Sequence, residues 1–343
     1  SSNVPGTWAD SKRQITKTQY DAPLLTGGAS PFGTDGQNYL RFRVADVTID
    51  ENGDGTYEYA THYSYDIHGN VNNLIQDNPT LAGKGEQFKK LKYEYDLISG
   101  NVKMVSYQQG DHDEFYHKYY YDADNRILEA WTSRDNYIWE RDARYTYYRH
   151  GPLARVEVGD LIVQGTDYAY TLQGWMKGVN AGGLVVSKDM GLDGKGGASH
   201  KAVATDAFGF IIDYYTGDYT QISTTANSFI PNVSSAGGYS YVTPDLYNGN
   251  IRAMSTSLMK PTVTSGKHDI ANVLGKAYQY DQLNRIYESW SYEKSMNTSG
   301  TFTWVNSGAG SDHSTPKWNT AYTYDANGNI LTVKRAGDLA TLP

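Results

Sequence analysis

The 343-residue sequence contains no cysteine, which excludes disulfide scaffolds, thiolate metal sites and cysteine nucleophiles. Cationic side chains are in deficit, 30 Lys and Arg against 38 Asp and Glu, for a formal charge of −8. Affinity for phosphate backbones rests on clustered cationic charge, so no nucleic-acid partner is expected. No apolar run approaches the roughly 18 residues of a membrane helix, so no membrane span is expected either. Neither a signal-peptide core nor a lipidation motif follows Ser1, and the sequence reads as a processed or excised piece. There is no G-x-x-x-x-G-K-[ST], no H-E-x-x-H and no G-x-S-x-G. Phosphate cradles, zinc-protease helices and nucleophile elbows therefore lack their usual entry point, and no cofactor is expected.

Tyrosine is abundant where so much else is scarce. It supplies 31 residues, against 7 Trp and 8 Phe. Tyrosine suits a pleated, half-buried surface, with its ring across neighbouring strands and its hydroxyl on water or a backbone partner. Together with 35 Gly and only 10 Pro, it predicts many strands joined by tight turns.

One pattern recurs along the chain. It runs Tyr63-Ser64-Tyr65-Asp66-Ile67-His68-Gly69-Asn70-Val71, then Tyr93-Glu94-Tyr95-Asp96-Leu97-Ile98-Ser99-Gly100-Asn101-Val102 with one residue more, then Tyr119-Tyr120-Tyr121-Asp122-Ala123-Asp124-Asn125-Arg126-Ile127. Later copies are Tyr278-Gln279-Tyr280-Asp281-Gln282-Leu283-Asn284-Arg285-Ile286 and Tyr322-Thr323-Tyr324-Asp325-Ala326-Asn327-Gly328-Asn329-Ile330. Degenerate copies begin at Tyr145 and Tyr168. Tyrosines at i and i+2 share one face of a strand and form a stripe against its neighbour. The aspartate opens a turn by accepting a backbone N–H two residues on. The Gly or Asn three residues later tolerates the left-handed conformation that closes the turn. The unit is strand, D-x-x-[GN] turn, strand.

On this basis residues 1–45 are expected to be irregular and 46–176 to form a repeat sheet. Residues 177–245 hold degenerate repeats with a Gly-rich loop, and 246–343 a second repeat sheet. Gly191-Leu192-Asp193-Gly194-Lys195-Gly196-Gly197 reads as an exposed loop, and no helix of three turns is expected.

These residues resemble the RHS or YD-repeat family over roughly 57 to 335. The resemblance implies an all-β fold in which YD-repeat hairpins form a long, twisted, spiralling antiparallel sheet, part of a hollow β-shell. It implies a secreted or surface-exposed bacterial protein whose shell encloses a toxin or effector polypeptide, with the remainder of the parent chain as its other partner. Toxin-bearing relatives cleave themselves in a core segment with Asp-Pro motifs. This sequence has no Asp-Pro dipeptide, so no catalytic residue is carried over and no enzyme is expected. An open strip of sheet exposes unpaired backbone groups, so its terminal strands are expected to need flanking chain, a partner or self-association.

Two local patterns offer metal chemistry. Asp50, Asn52 and Asp54, in Asp50-Glu51-Asn52-Gly53-Asp54-Gly55, match the opening of a calcium loop, yet the twelfth position is Thr61, not Glu. The segment is read as a hairpin turn. Asp111-His112-Asp113-Glu114 with His117 is read as a solvated hairpin tip, since positions five apart on a strand face opposite ways. The alternatives to a wall are a glycan-binding surface with exposed aromatics near Trp131 and Trp139, and a polysaccharide-acting enzyme with paired carboxylates.

Overall fold

The computed structural model describes residues 14–25, 30–180, 182, 184, 186, 189–220, 244–264, 267–270, 273–296, 302–306 and 318–335. Residues 1–13, the Gly27-Gly28 pair, 221–243 of the expected degenerate region and 336–343 lie outside the described residues.

The fold is all-β, as the repeats imply. Among the described residues helical backbone is confined to two short 3₁₀ segments, Gly33–Asp35 and Pro79–Lys84, and to Val186. The chain divides into two compact units, Ser1–Ala143 and Arg144–Pro343. The boundary falls inside a strand of the expected first repeat sheet, so it does not follow the repeat-based division.

In the first unit β1 (Ile15–Tyr20), β2 (Val44–Asp50), β3 (Tyr59–Tyr65), β4 (Val71–Asp77), β5 (Phe88–Tyr95), β6 (Val102–Tyr107), β7 (Phe115–Tyr121) and β8 (Ile127–Ser133) follow in order. Each pairs antiparallel with the next. β1 lies within the segment expected to be irregular. Its Ile15–Tyr20 backbone finds partners along β2 in spite of a sequence without the repeat. β9 (Glu140–Tyr147) leads into the second unit.

There, β10 (Leu153–Val158), β11 (Gln164–Tyr170), β12 (Met176–Val179), β13 (Phe208–Asp213) and β14 (Ala253–Thr264) pair antiparallel in succession. β15 (Lys267–Ile270) folds back on the far end of β14, whose near end continues the sheet to β16 (Val273–Tyr280). β17 (Ile286–Met296) pairs with β16, β18 (Phe302–Asn306) and β19 (Thr320–Tyr324), and β20 (Ile330–Arg335) closes on β19. The core cluster here is Ile211, Ala253, Val273, Ala277 and Tyr292, with Trp290 packed against it.

Every full repeat breaks register at its second tyrosine. Ser64 faces Asn73 while Tyr65 faces Val71, and the same slip occurs at Tyr95, Tyr121, Tyr280 and Tyr324. A bulge of this kind bends the strand and re-aims the side chain. On β3 the fully buried positions are Ala60, His62 and Ser64, whereas Tyr63 and Tyr65 are half-buried. Small and polar side chains therefore hold one face, and the tyrosine stripe holds the other.

Candidate functional site

The repeated turn has one geometry in four of the five full repeats. Asp66 Oδ1 accepts the His68 and Asn70 N–H groups, both at 2.9 Å, and Asp66 Oδ2 accepts Asn70 Nδ2 at 3.0 Å. Asp122 accepts the Asp124 and Arg126 amides and the Arg126 Nε, and Asp281 accepts the Leu283 and Arg285 amides and the Arg285 Nε. Asp325 accepts the Asn327 and Asn329 amides and Asn329 Nδ2, and Asp96 serves Ile98 and Ser99 in its longer loop. The closing residues Gly69, Gly100, Asn125, Asn284 and Gly328 all have positive φ, 97°, 74°, 63°, 61° and 91°. Donated N–H groups favour the charged carboxylate. Backbone amides, Ser99, Arg126 and Arg285 foremost, hold Asp96, Asp122 and Asp281 below the usual carboxylate range, and the Asn329 side chain and amide do so for Asp325. At Asp66 desolvation opposes the turn amides, which nevertheless hold its carboxyl low.

The second tyrosine of each repeat reaches back. Tyr95 Oη donates to the Val71 carbonyl at 2.7 Å, Tyr121 to Val102 at 2.8 Å, Tyr280 to Ile251 at 2.8 Å and Tyr324 to Ile286 at 2.6 Å. Each acceptor is the aliphatic residue that follows the preceding turn; Val71, Val102 and Ile286 open the return strand, and Ile251 lies two residues before β14. Tyr65 bonds the Val44 carbonyl in the same manner, and Tyr214 bonds that of Met176. The partners Tyr93, Tyr119, Tyr278 and Tyr322 are half-buried beside them. Burial raises the phenol pKa at Tyr65, Tyr95, Tyr121 and Tyr278, and takes Tyr280 up to about 12. Adjacent turns are tied edge to edge as well, by Asn101 Nδ2 to Asn125 Oδ1 at 2.9 Å and Asn248 Nδ2 to Asn284 Oδ1 at 2.9 Å.

The other sequence candidates fall into place separately. Asp50 accepts the Gly53 and Gly55 amides, Asn52 the Asp54 amide and Asp54 the Thr56 amide. The oxygens of the calcium-like loop are thus turned onto its own backbone. Around the Asp111 tip, Asp113 pairs with Lys89 at 2.7 Å and Glu114 accepts the Gly110 amide, while the His117 ring stacks on Tyr119. These residues are not brought to one point. Near Trp131 and Trp139, Lys118 lies 3.8 Å over the Trp139 ring and Arg141 5.9 Å over that of Trp131. Cations already occupy those aromatic faces.

Sequence reasoning missed the charge clusters buried in the sheet, among them Lys177 between Asp213 and Asp218, the His62 cluster of the first unit and the Arg155 cluster of the second. In the first unit Asp46 sits directly opposite His62 across β2 and β3 and pairs with His62 Nδ1, while Asp77 Oδ2 lies 3.5 Å from Nε2. Asp46 also accepts the Leu24 amide and Gln37 Nε2, and Asp77 accepts Tyr57 Oη and Gln87 Nε2.

In the second unit Arg155 faces Asp167 across β10 and β11. Its Nη1 donates to Asp167 Oδ2 at 2.5 Å, its Nη2 to Asp193 Oδ1 at 2.7 Å and its Nε to Glu157 Oε1 at 3.1 Å. Gly165 and Gly191 lie against the guanidinium where a Cβ would collide with it. The segment read as an exposed loop thus carries a fully buried residue, Asp193, because the guanidinium draws its carboxylate inward. Asp189 Oδ2 accepts the Asp193 amide at 2.7 Å. Asp206 stands against Asp189, and desolvation first and then that neighbouring carboxyl push it up to about 9. Desolvation takes Asp167 to about 7 despite Arg155. The one legible signal was the alternation of Arg155 and Glu157 on a single strand face.

Fold and site together define an all-β protein of latched hairpin repeats with charge sealed beneath them. No family model matches the chain, and no curated protein matches it. Among solved structures it is similar to a chain of the TcdB2-TccC3-Cdc42 crystal structure, at a TM-score of 0.37 and 10% identity. It is also similar to a chain of the Photorhabdus luminescens Tc holotoxin pore carrying a mutant TccC3, at a TM-score of 0.39 and 10% identity. Each alignment covers 94% of this chain but only 17% of the other.

Proposed function

We propose that this chain is a stretch of wall in an RHS-type shell, a non-catalytic part of a secreted bacterial protein that sequesters a toxic polypeptide until delivery. The observation that carries the reading is the backward tyrosine bond. The hydroxyl of the second tyrosine in each repeat is spent on fastening its hairpin to the one before, which suits a surface built by repetition rather than a ligand platform. The exposed strand β20 adds to this: all six of its residues are exposed, Ile330, Leu331 and Val333 among them, and its one strand partner among the described residues is β19. A bare strand edge of that kind calls for more wall, a partner or a second copy to cover it.

The test is mass spectrometry together with a density map of the intact parent particle. Extra polypeptide enclosed by a closed β-wall is the expected outcome. An open, empty sheet with clustered outward aromatics would sink the container reading and favour glycan binding. Sedimentation of the isolated chain gives a second check, because a stable, monodisperse monomer is not what a wall fragment should be.

A further inference from the structure

We propose that Asp167, Asp189 and Asp193, with Asp206 set against Asp189, form a site for one divalent cation, of the calcium type, under the 189–206 segment of the second unit. Ligand atoms of Asp167, Asp189 and Asp193 all lie within 4.8 Å of one another. That spacing is what oxygens around one ion require. Acidic side chains gather for other reasons too, so the second observation decides. Both carboxylate oxygens of Asp206, Oδ1 of Asp189 and Oδ2 of Asp193 are buried with no N–H or hydroxyl donor upon them, and Asp206 and Asp189 stand carboxyl against carboxyl. The residues that carry them are only 5%, 4% and 1% exposed.

A buried carboxylate oxygen without a donor bears a desolvation cost that natural structures rarely leave uncompensated. Arg155 does not remove it, for its three nitrogens donate to one oxygen each of Glu157, Asp167 and Asp193. His200 adds little, its ring nitrogens standing 3.6 Å from Glu157 Oε1 and 3.8 Å from Asp193 Oδ1. One guanidinium and one imidazole therefore face the carboxylates of Glu157, Asp167, Asp189, Asp193 and Asp206.

The donor set selects the ion. Oxygen-only ligands suit hard cations and not thiophilic or imidazole-seeking metals. Magnesium demands near-ideal octahedral geometry and keeps several waters, whereas calcium takes six to eight oxygens in a flexible shell. All four aspartates are at most 7% exposed, which leaves little place for retained water. The 189–206 segment, placed between β12 and β13, would close on the sheet through this ion. The site is independent of the wall role.

The experiment uses the whole chain, stripped with a chelator and titrated first with terbium alone and then with calcium alone. One terbium per chain, excited through tyrosine and displaced by calcium in preference to magnesium, is the expected result. Saturating calcium should raise the melting temperature by about 5 °C. Asp206→Asn and Asp193→Asn should each weaken binding at least about tenfold, the effect of losing one charged ligand oxygen, while Asp54→Ala in the self-capped loop leaves it unchanged. Wild-type binding is read without any variant, so a misfolded substitution does not shield the proposal. It is overturned if the wild type shows neither terbium emission nor a calcium-dependent melting shift. It is overturned equally if Asp206→Asn stabilises the chain and leaves cation affinity intact, for the carboxyls then hold protons and nothing more.

Discussion

In the first unit one imidazole lies between two carboxylates, and both Asp46 and Asp77 also accept hydrogen bonds from neutral donors around them. In the second, one guanidinium meets Glu157, Asp167 and Asp193, while Asp189 and Asp206 stand carboxyl against carboxyl and keep oxygens that no N–H group reaches. The origin of the acids explains the contrast. Asp46, His62 and Asp77 come from three consecutive paired strands, so the ladder brings them together, while Leu24, Gln37, Tyr57 and Gln87 donate to the two acids from the connections. Asp189, Asp193 and Asp206 arrive from the long connection between β12 and β13, where no ladder constrains what they face. The regular repeat leaves both of its acids with donors, although His62 Nε2 itself makes no hydrogen bond, and the insertion supplies carboxylate charge in surplus.

The sharpest way to break this comparison is Arg155→Met. Removing one partner of a buried charge cluster typically costs about 3–5 kcal/mol, and denaturant melts of the second unit should lose about that much. His62→Ala should cost the first unit less, about 2 kcal/mol, since Asp46 and Asp77 retain their neutral donors. It should also leave any calcium response untouched.

Smaller changes probe what the units share. Tyr95→Phe deletes the bond to Val71 and should cost about 1 kcal/mol. Tyr120→Phe, half-exposed with Tyr120 on the opposite strand face, should register no change in the same melts. The smallest effect is a pH dependence common to both units. The carboxyls of Asp66, Asp96, Asp122, Asp281 and Asp325 are held low. A depressed folded pKa contributes stability above the ordinary carboxylate value of about 4, lost as pH falls through the folded one. Melting temperature followed from neutral pH downward should therefore drop only below about pH 4, and Asp122→Asn should flatten part of that drop.

Hairpins were legible in the sequence because every determinant of the unit lies within ten residues. The aspartate, the left-handed Asn or Gly and the returning aliphatic residue act on each other locally, so Asn125 and Asn284 announce their turns by type and spacing alone. What the Tyr95 hydroxyl bonds was not legible, since its acceptor at Val71 belongs to another repeat and depends on a bulge. The second cluster was hidden for a stronger reason. Asp193 reaches Arg155 from 38 residues away, and a segment as Gly-rich as 191–197 has the composition of an exposed loop whether or not it carries a buried carboxylate. β1 was missed because backbone pairing with β2 does not need the repeat's side chains.

The tyrosine bonds from the five full repeats run one way along the chain, each from a later residue to an earlier one, across 19 residues at Tyr121 and 38 at Tyr324. During synthesis a hairpin therefore never waits for a partner still to be made. At about 5–20 residues per second the ribosome takes seconds to deliver the next repeat, while a hairpin forms in microseconds. Each Tyr-Asp pair emerges to find the previous turn already closed and its carbonyl in place. Fastening then proceeds like a ratchet from the first-made end, and the exposed strand edge is never more than one repeat deep.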